Sequence, residues 1–219
     1  DHILLASRQG KAVRFPVNAV RVFRSRTSDG VRGMKLADSD KVISMTILHG
    51  IKASMEEREA YLTIPVEKRL DIAKDNQEFT PEELGVSLSK EQIIELAKAE
   101  EFILTISENG FGKRTSAYHY RITNRGGSGI VNMVLSAKTG DVVASMPANT
   151  NDEIMLITNN GKLIRCKLDS VRITGRSTSG VILFKTEKDE RVVSASLIAE
   201  ASEGETEVEE DIESESGSE

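Results

Sequence analysis

The chain has 219 residues, carries 35 acidic against 29 basic side chains, and has a formal net charge of −6. With 4% aromatic residues and no Trp, its core, whether one large or two modest, must be built from Val, Ile, Leu and Met. No apolar run approaches the ~18–20 residues of a membrane span, no charged-then-apolar targeting segment opens the chain, and a lone cysteine excludes an internal disulfide framework and fits a reducing compartment.

The chain opens at Asp1, without Met, and runs at once into the strand-like Ile3-Leu4-Leu5; it reads as the C-terminal part of a longer polypeptide. Gln9-Gly10 is a hairpin turn, and Gly10-Lys11-Ala12-Val13-Arg14 starts the returning strand. An Arg-rich linker (Arg21, Arg24, Arg26) leads to Gly30-Val31-Arg32 and then to the β-branched pair Val42-Ile43. Residues 51–100 do not fit this pattern. Ala53 to Ala73 is rich in Glu, Lys, Arg and Leu, with Pro65 dividing it into two short helices. Thr80 is placed as an N-cap before Pro81 at the first helical position, and Ser89 caps a further helix through Ala99. The expectation is two to four short helices on the outside of a β body; the alternative is a disordered spacer.

The first pattern then returns twice. Gly110-Phe111-Gly112-Lys113-Arg114 and Gly161-Lys162-Leu163-Ile164-Arg165 repeat the opening turn and strand. Each leading Gly is followed eleven residues later by Arg (Arg21, Arg121, Arg172), then by Arg-x-x-x-Gly (Arg26, Arg125, Arg176) and a β-branched run (Val142-Val143, Val192-Val193). Gly110 follows Gly10 by 100 residues and Gly161 follows Gly110 by 51, so one repeat length has been inserted after the first copy. Each repeat reads as four short strands; in the third they are Ile154–Thr158, Leu163–Cys166, Gly180–Phe184 and Val192–Leu197, with Asn159-Asn160-Gly161 as the first turn. Cys166, between Arg165 and Lys167, is read as a small strand residue rather than a nucleophile. From Glu200 the chain alternates Glu, Ser, Gly and Thr and buries too little to offset its ordering entropy, so 199–219 is expected to be a disordered acidic tail.

Four-stranded units of about 50 residues are the blades of a propeller-like β architecture. Three such blades leave two raw flanks, which points to further blades upstream. Tandem SH3-like or OB-like barrels are the runner-up. The segments are 1–50, 101–150 and 151–198 for the blades, 51–100 for the helical insertion and 199–219 for the tail.

Charge is sorted along these segments. Residues 51–100 hold twelve acidic and seven basic side chains, and residues 199–219 hold ten carboxylates and no Lys or Arg. The repeat body has 13 acids against 22 bases, a balance of +9. Its cations fall at the turn after strand one (Lys11, Lys113, Lys162), on strand two (Arg14, Arg114, Arg165) and in the third linker (Arg24, Arg26, Arg125, Arg172, Arg176), with Arg32 just beyond. Repeated on successive blades they form a curved basic track suited to a duplex, whose phosphates lie about 1.7 Å apart along the axis. Phe15, Phe111, Tyr118 and Tyr120 do not recur at one position, which argues against a single-strand binder with stacking platforms. These twelve cations are the candidate DNA contacts. Some recurring Arg residues would instead brace blade to blade, a reading that suits Arg21, Arg121 and Arg172 best because they follow apolar residues. No catalytic constellation emerges: His2, His49 and His119 are scattered, and Asp152-Glu153 reads as a solvated turn. A protein-docking propeller whose cations serve acidic proteins is the alternative from another class.

Asn109-Gly110-Phe111-Gly112-Lys113-Arg114-Thr115, Tyr120-Arg121-Ile122-Thr123-Asn124-Arg125-Gly126-Gly127-Ser128-Gly129-Ile130, and Ile173-Thr174-Gly175-Arg176-Ser177-Thr178-Ser179-Gly180-Val181 resemble late blades of the C-terminal domain of the DNA gyrase A protein; Gly30-Val31-Arg32-Gly33-Met34-Lys35-Leu36 resembles a middle blade. The resemblance covers about residues 1–50 and 101–198. It implies an all-β fold: a six-bladed β-pinwheel, about three blades of which are present, with strands exchanged between neighbours. It further implies that a basic perimeter wraps duplex DNA for an ATP-driven type II topoisomerase of the bacterial cytoplasm, an A2B2 assembly in which ATP and Mg belong to the gyrase B protein and this chain holds no cofactor. The family's wrapping heptad, Gln-Arg-Arg-Gly-Gly-Lys/Arg-Gly, is absent, and Asn124–Gly129 is a degenerate echo of it. The related domain of the topoisomerase IV A protein is the alternative within the family. The insertion lies outside the family pattern.

Overall fold

The computed structural model describes residues 1–75 and 78–198; the acidic tail expected over 199–219 lies outside the described residues. Three antiparallel sheets stand side by side. In the first, β1 (His2–Ser7) and β2 (Lys11–Pro16) form the hairpin that turns at Gln9-Gly10, and β3 (Val42–Leu48) pairs with the other edge of β1. The second repeats this with β4 (Phe102–Ser107), β5 (Phe111–Ser116) and β7 (Val142–Pro147), and the third with β8 (Glu153–Thr158), β9 (Leu163–Lys167) and β11 (Val192–Ile198). β7 lies between β3 and β11, so the last strand of each repeat forms the inner layer of the stack.

The strand expected after each Arg-rich linker does not join its own sheet. β6 (Ile130–Val131), from the second repeat, pairs with β2 of the first sheet, and β10 (Val181–Ile182), from the third, pairs with β5 of the second. The first two sheets therefore have four strands and the third has three. None of 1–50, 101–150 and 151–198 thus forms a four-stranded blade from its own residues, and the strand expected after Gly30 in the first repeat does not form. The cause lies in the linker geometry. After the 3-10 turns Val17–Ala19 and Ala117–His119 the chain leaves the hairpin, and residues 121–131 run back along the preceding sheet, where Arg14 bridges to Ile122 and Asn132 N–H donates to Gly10 carbonyl at 2.7 Å.

This close approach explains the Gly of Arg-x-x-x-Gly. Gly129 and Gly180 both take φ of +75°, and a Cβ would lie 2.5 Å from the Ala12 carbonyl oxygen at one and 2.4 Å from the Gly112 carbonyl oxygen at the other. Gly30 takes the same backbone form with nothing within 4 Å, because no sheet of this chain precedes it. The donated strand sets the spacing of neighbouring sheets, and an apolar core fills the gap. Leu4, Ala12 and Leu48 pack on Ile103, Ala117 and Tyr120 between the first two sheets, and Leu104, Ile106 and Ala144 pack on Ile154, Leu156 and Leu168 between the last two.

The segment between β3 and β4 folds into four helices: α1 (Met55–Leu62), α2 (Val66–Ala73), α3 (Pro81–Leu84) and α4 (Lys90–Lys98). Reciprocal capping boxes start three of them, Ser54 with Glu57, Thr80 with Glu83 and Ser89 with Gln92. Pro65 ends the first pair of turns, and Gly85 in the left-handed region stops α3. The helices bury Tyr61, Ile64, Ile72, Ile93 and Leu96 among themselves and dock on the second sheet through Tyr118. The Tyr118 hydroxyl donates to the Leu96 carbonyl at 2.9 Å, and its ring meets Tyr61 edge-on at 5.7 Å. Inside the unit Glu100 accepts from the Tyr61 hydroxyl at 2.9 Å and pairs with Arg69, and burial pushes its carboxyl above the usual range despite that guanidinium. At the base Glu101 accepts from the His49 backbone N–H at 2.9 Å, tying the two ends of the insertion together.

Candidate nucleic-acid interface

The recurring cations divide into three groups, and position along the sheet decides which. The strand-two arginines are internal braces. Arg14 is 3% exposed; its Nη1 donates to the Ala117 carbonyl of the next repeat at 2.8 Å. Arg114, equally buried, donates through Nε to the Val171 carbonyl at 2.9 Å and through Nη1 to the Thr150 hydroxyl at 3.0 Å. Burial brings Arg14 down to about 10, with Arg58 adding to the fall, and lowers Arg114 as well. These two belong to the sheet junctions and not to the surface, a correction to the candidate set. The equivalent Arg165 has no following repeat in this chain, lies 64% exposed, and pairs with Glu153 across the β8–β9 ladder.

Lys113 is the second correction. It sits two places further from its leading Gly than Lys11 or Lys162, at the position held by Val13 and Ile164, and its side chain is fully buried. Its ammonium donates to the carbonyls of Gly175 and Thr178 at 3.0 Å and of Arg176 at 2.5 Å, and to the Thr178 hydroxyl at 3.3 Å. Burial, then Arg176, depresses it to about 7. It pins the third linker to the second sheet.

Arg125 and Arg176 brace in the other direction. Arg125 donates to the Ala19 carbonyl at 2.9 Å and the Arg32 carbonyl at 3.2 Å; Arg176 donates to the equivalent His119 carbonyl and to the Val131 carbonyl, both at 2.7 Å. Both remain half-buried. Their counterpart Arg26 is exposed.

What stays open to a polyanion is Lys11, Arg24, Arg26, Arg32 and Arg172, all exposed, while the exposed Lys162 pairs with the exposed Glu187 and the buried Glu190, and the exposed Arg165 with Glu153. An exposed pair such as Lys162–Glu187 contributes ~0–1 kcal/mol and yields readily to a phosphate. Arg21, Arg121 and Arg172, expected as the braces, are exposed in all three repeats; the braces are instead Arg14 and Arg114 on strand two, Lys113, and Arg125 and Arg176 of Arg-x-x-x-Gly. The recurrence of Arg eleven residues after each leading Gly was the signal for Arg21 and Arg121 as surface cations, and the apolar residues in the other two repeats at the Lys113 position were the signal for its burial.

Burial raises the Cys166 thiol, and Asp152 is buried as the acceptor of the Asn149 N–H at 2.7 Å rather than solvated. Among the described residues no helix is long and apolar enough to cross a membrane.

The family model described as "DNA gyrase C-terminal domain, beta-propeller" matches residues 1–49, 101–149 and 152–199, leaving the helical insertion unmatched. The chain is 67% identical over 205 residues to the DNA gyrase A protein of Rickettsia prowazekii, covering 94% of this chain and 22% of that protein. It is 46% identical over 213 residues to that of Granulibacter bethesdensis, covering 91% and 23%. It thus spans about a fifth of the length of these relatives. Two solved structures share the fold, each with a TM-score of 0.62. A DNA gyrase A C-terminal domain is 22% identical, over 91% of this chain and 51% of that one; a DNA topoisomerase IV C-terminal domain is 18% identical, over 90% and 46%. With its exchanged strands and basic edge in view, the chain belongs to the DNA gyrase C-terminal domain family of β-propellers.

Proposed function

We propose that this chain is the DNA-wrapping region of a gyrase A protein. The observation that carries the reading is the set of exposed cations at repeated positions on adjoining sheets, Lys11 and Lys162 at the turns and Arg21, Arg121 and Arg172 after the hairpins. Repeated sites on a rigid stack contact phosphates at successive places along a curved duplex without reading bases. The braces support this indirectly: Arg14, Arg114, Lys113, Arg125 and Arg176 fix the sheets to one another, so the curvature is preset and the cost of bending, about 1–6 kcal/mol for a short site, is met by contacts in a fixed array.

In the whole enzyme the wrap would present a neighbouring duplex segment to a strand-passage gate, and the gyrase B protein, joined in an A2B2 assembly in the bacterial cytoplasm, would supply ATP and Mg. Wrapping of one hand then biases passage toward negative supercoils. A topoisomerase IV reading has less support, since it rests on fold likeness at 18% identity, against 67% for a gyrase relative.

The test is the salt dependence of duplex binding. If about 6–8 phosphates are neutralised, log K should fall against log salt with a slope of about −5 to −7. A slope near zero would exclude duplex wrapping and leave a docking propeller for acidic proteins.

A further inference from the structure

We propose that the cleft between α1 and the second sheet is a phosphate-binding site, one that exists only because this chain carries the helical insertion. The cleft has a volume of about 320 Å³. Its polar lining is Arg58 from α1 together with His119, Arg121 and Arg176 from the repeat body, and its only acid is Glu59.

The argument is one of uncompensated charge. Arg58 is 7% exposed, and its Nε donates to the Ser54 carbonyl at 3.1 Å. No other hydrogen bond and no carboxylate engages it among the described residues. Its two Nη atoms are not among the buried unpaired nitrogens, so they open to solvent in the cleft, and a guanidinium enclosed this far with only water beside it is normally paired. Its surroundings make matters worse. Arg14, also buried, feels Arg58 as a like charge, and His2 is pushed down to about 4 by its own burial, then by Arg14 and, more weakly, Arg58. Burial likewise depresses His119, with Arg176 contributing. Arg176 uses Nε and Nη1 on carbonyls, which leaves Nη2, and Arg121 is exposed with no hydrogen bond among the described residues. Three forks of positive charge from separate elements therefore face one cavity whose single lining carboxylate, Glu59, pairs with none of them among the described residues.

A phosphoryl group matches what is lacking. The planar guanidinium donates two parallel bonds to phosphate oxygens, and several such groups around one phosphate are the usual recognition pattern. The volume admits one or two phosphates with a small apolar group against Leu62 and excludes a duplex. The phosphate would come either from a free phosphorylated metabolite or from a single backbone position of bound DNA.

Calorimetric titration of the full-length protein with pyrophosphate tests this. One saturable site is expected. Arg58→Gln and Arg121→Gln should each weaken it about ten-fold or more, the scale of one charge-assisted hydrogen bond, and Glu59→Gln should tighten it. Lys68→Gln, which removes the same charge from an exposed place on α2, should leave it unchanged. Arg121 is exposed, so its variant keeps the test decisive if Arg58→Gln fails to fold. Displacement of one duplex contact by pyrophosphate identifies DNA as the phosphate source; duplex affinity unaltered by saturating pyrophosphate identifies a free ligand. No saturable binding at millimolar pyrophosphate, or equal weakening by Lys68→Gln, overturns the site, and does so without touching the wrapping proposal if the duplex salt slope persists.

Discussion

Arg114 and Arg165 occupy the same place in consecutive repeats and should behave oppositely when truncated. Arg114→Ala removes two bonds made by a charged donor, at 2.9 Å to the Val171 carbonyl and 3.0 Å to the Thr150 hydroxyl. Each such bond contributes ~1.5–3 kcal/mol, and Val171 is 1% exposed, so its carbonyl finds little water in exchange. Some solvent will follow the truncated side chain, and the loss should settle at about 3–4 kcal/mol. For a protein of this size that is a fall in Tm of roughly 10 °C. Arg165→Ala removes an exposed pair with Glu153, and should shift stability by less than ~1 kcal/mol. Thermal unfolding followed by circular dichroism reads both. Duplex binding, measured well below the lower Tm, should show the reverse order, with Arg165→Ala weaker by a few-fold and Arg114→Ala near wild type. Equal Tm losses in the two variants, or a loss under about 2 °C in Arg114→Ala, would show that repeat position and not the junction dictates the role of this arginine.

The glycines of the donated strands supply a second contrast. Gly180→Ala brings a methyl to 2.4 Å from the Gly112 carbonyl oxygen and should cost more than the ~1–2 kcal/mol of left-handed backbone strain alone, whereas Gly30→Ala, with open space around it, should cost only that strain; denaturant midpoints compare them. Lys113 supplies a pH dependence. Its folded pKa of about 7 lies below the ordinary lysine value of 10.5, so between about pH 7 and 10.5 the unfolded chain holds the extra proton and stability rises with pH. Lys113→Met should flatten that rise in urea titrations, and an unchanged slope would mean that the ammonium keeps its proton in the native state.

Much of this arrangement was legible in the residues. The hairpin turns at Gly10, Gly110 and Gly161, and the helix starts at Thr80 and Ser89, follow from local rules: an Asn-Gly or Gln-Gly turn and a capping box act within four residues. The donated strands were not legible in the same way. Gly180-Val181-Ile182 has the pattern of any short buried strand, and nothing within it states which sheet it joins. The partner is set by the path of residues 172–180, a matter of three-dimensional packing. Arginine roles failed for the same reason. Arg14, Arg114 and Arg165 hold the same position in the repeat, and the carbonyls of Ala117 and Val171 that meet the first two make the difference between a brace and a surface cation.

Strand donation also decouples the unit of inheritance from the unit of structure. A recombination event that copies or deletes about 50 residues, whatever its starting point within the repeat, carries one hairpin, one inner strand and one lent strand. Every lender then still stands beside a borrower, and the two joints created are of the same kind as those removed. A stack built this way can lengthen or shorten in whole steps without a specially evolved boundary, whereas a stop codon between Arg165 and Val181 would strip β5 of its neighbour and leave a bare sheet edge open to unwanted association.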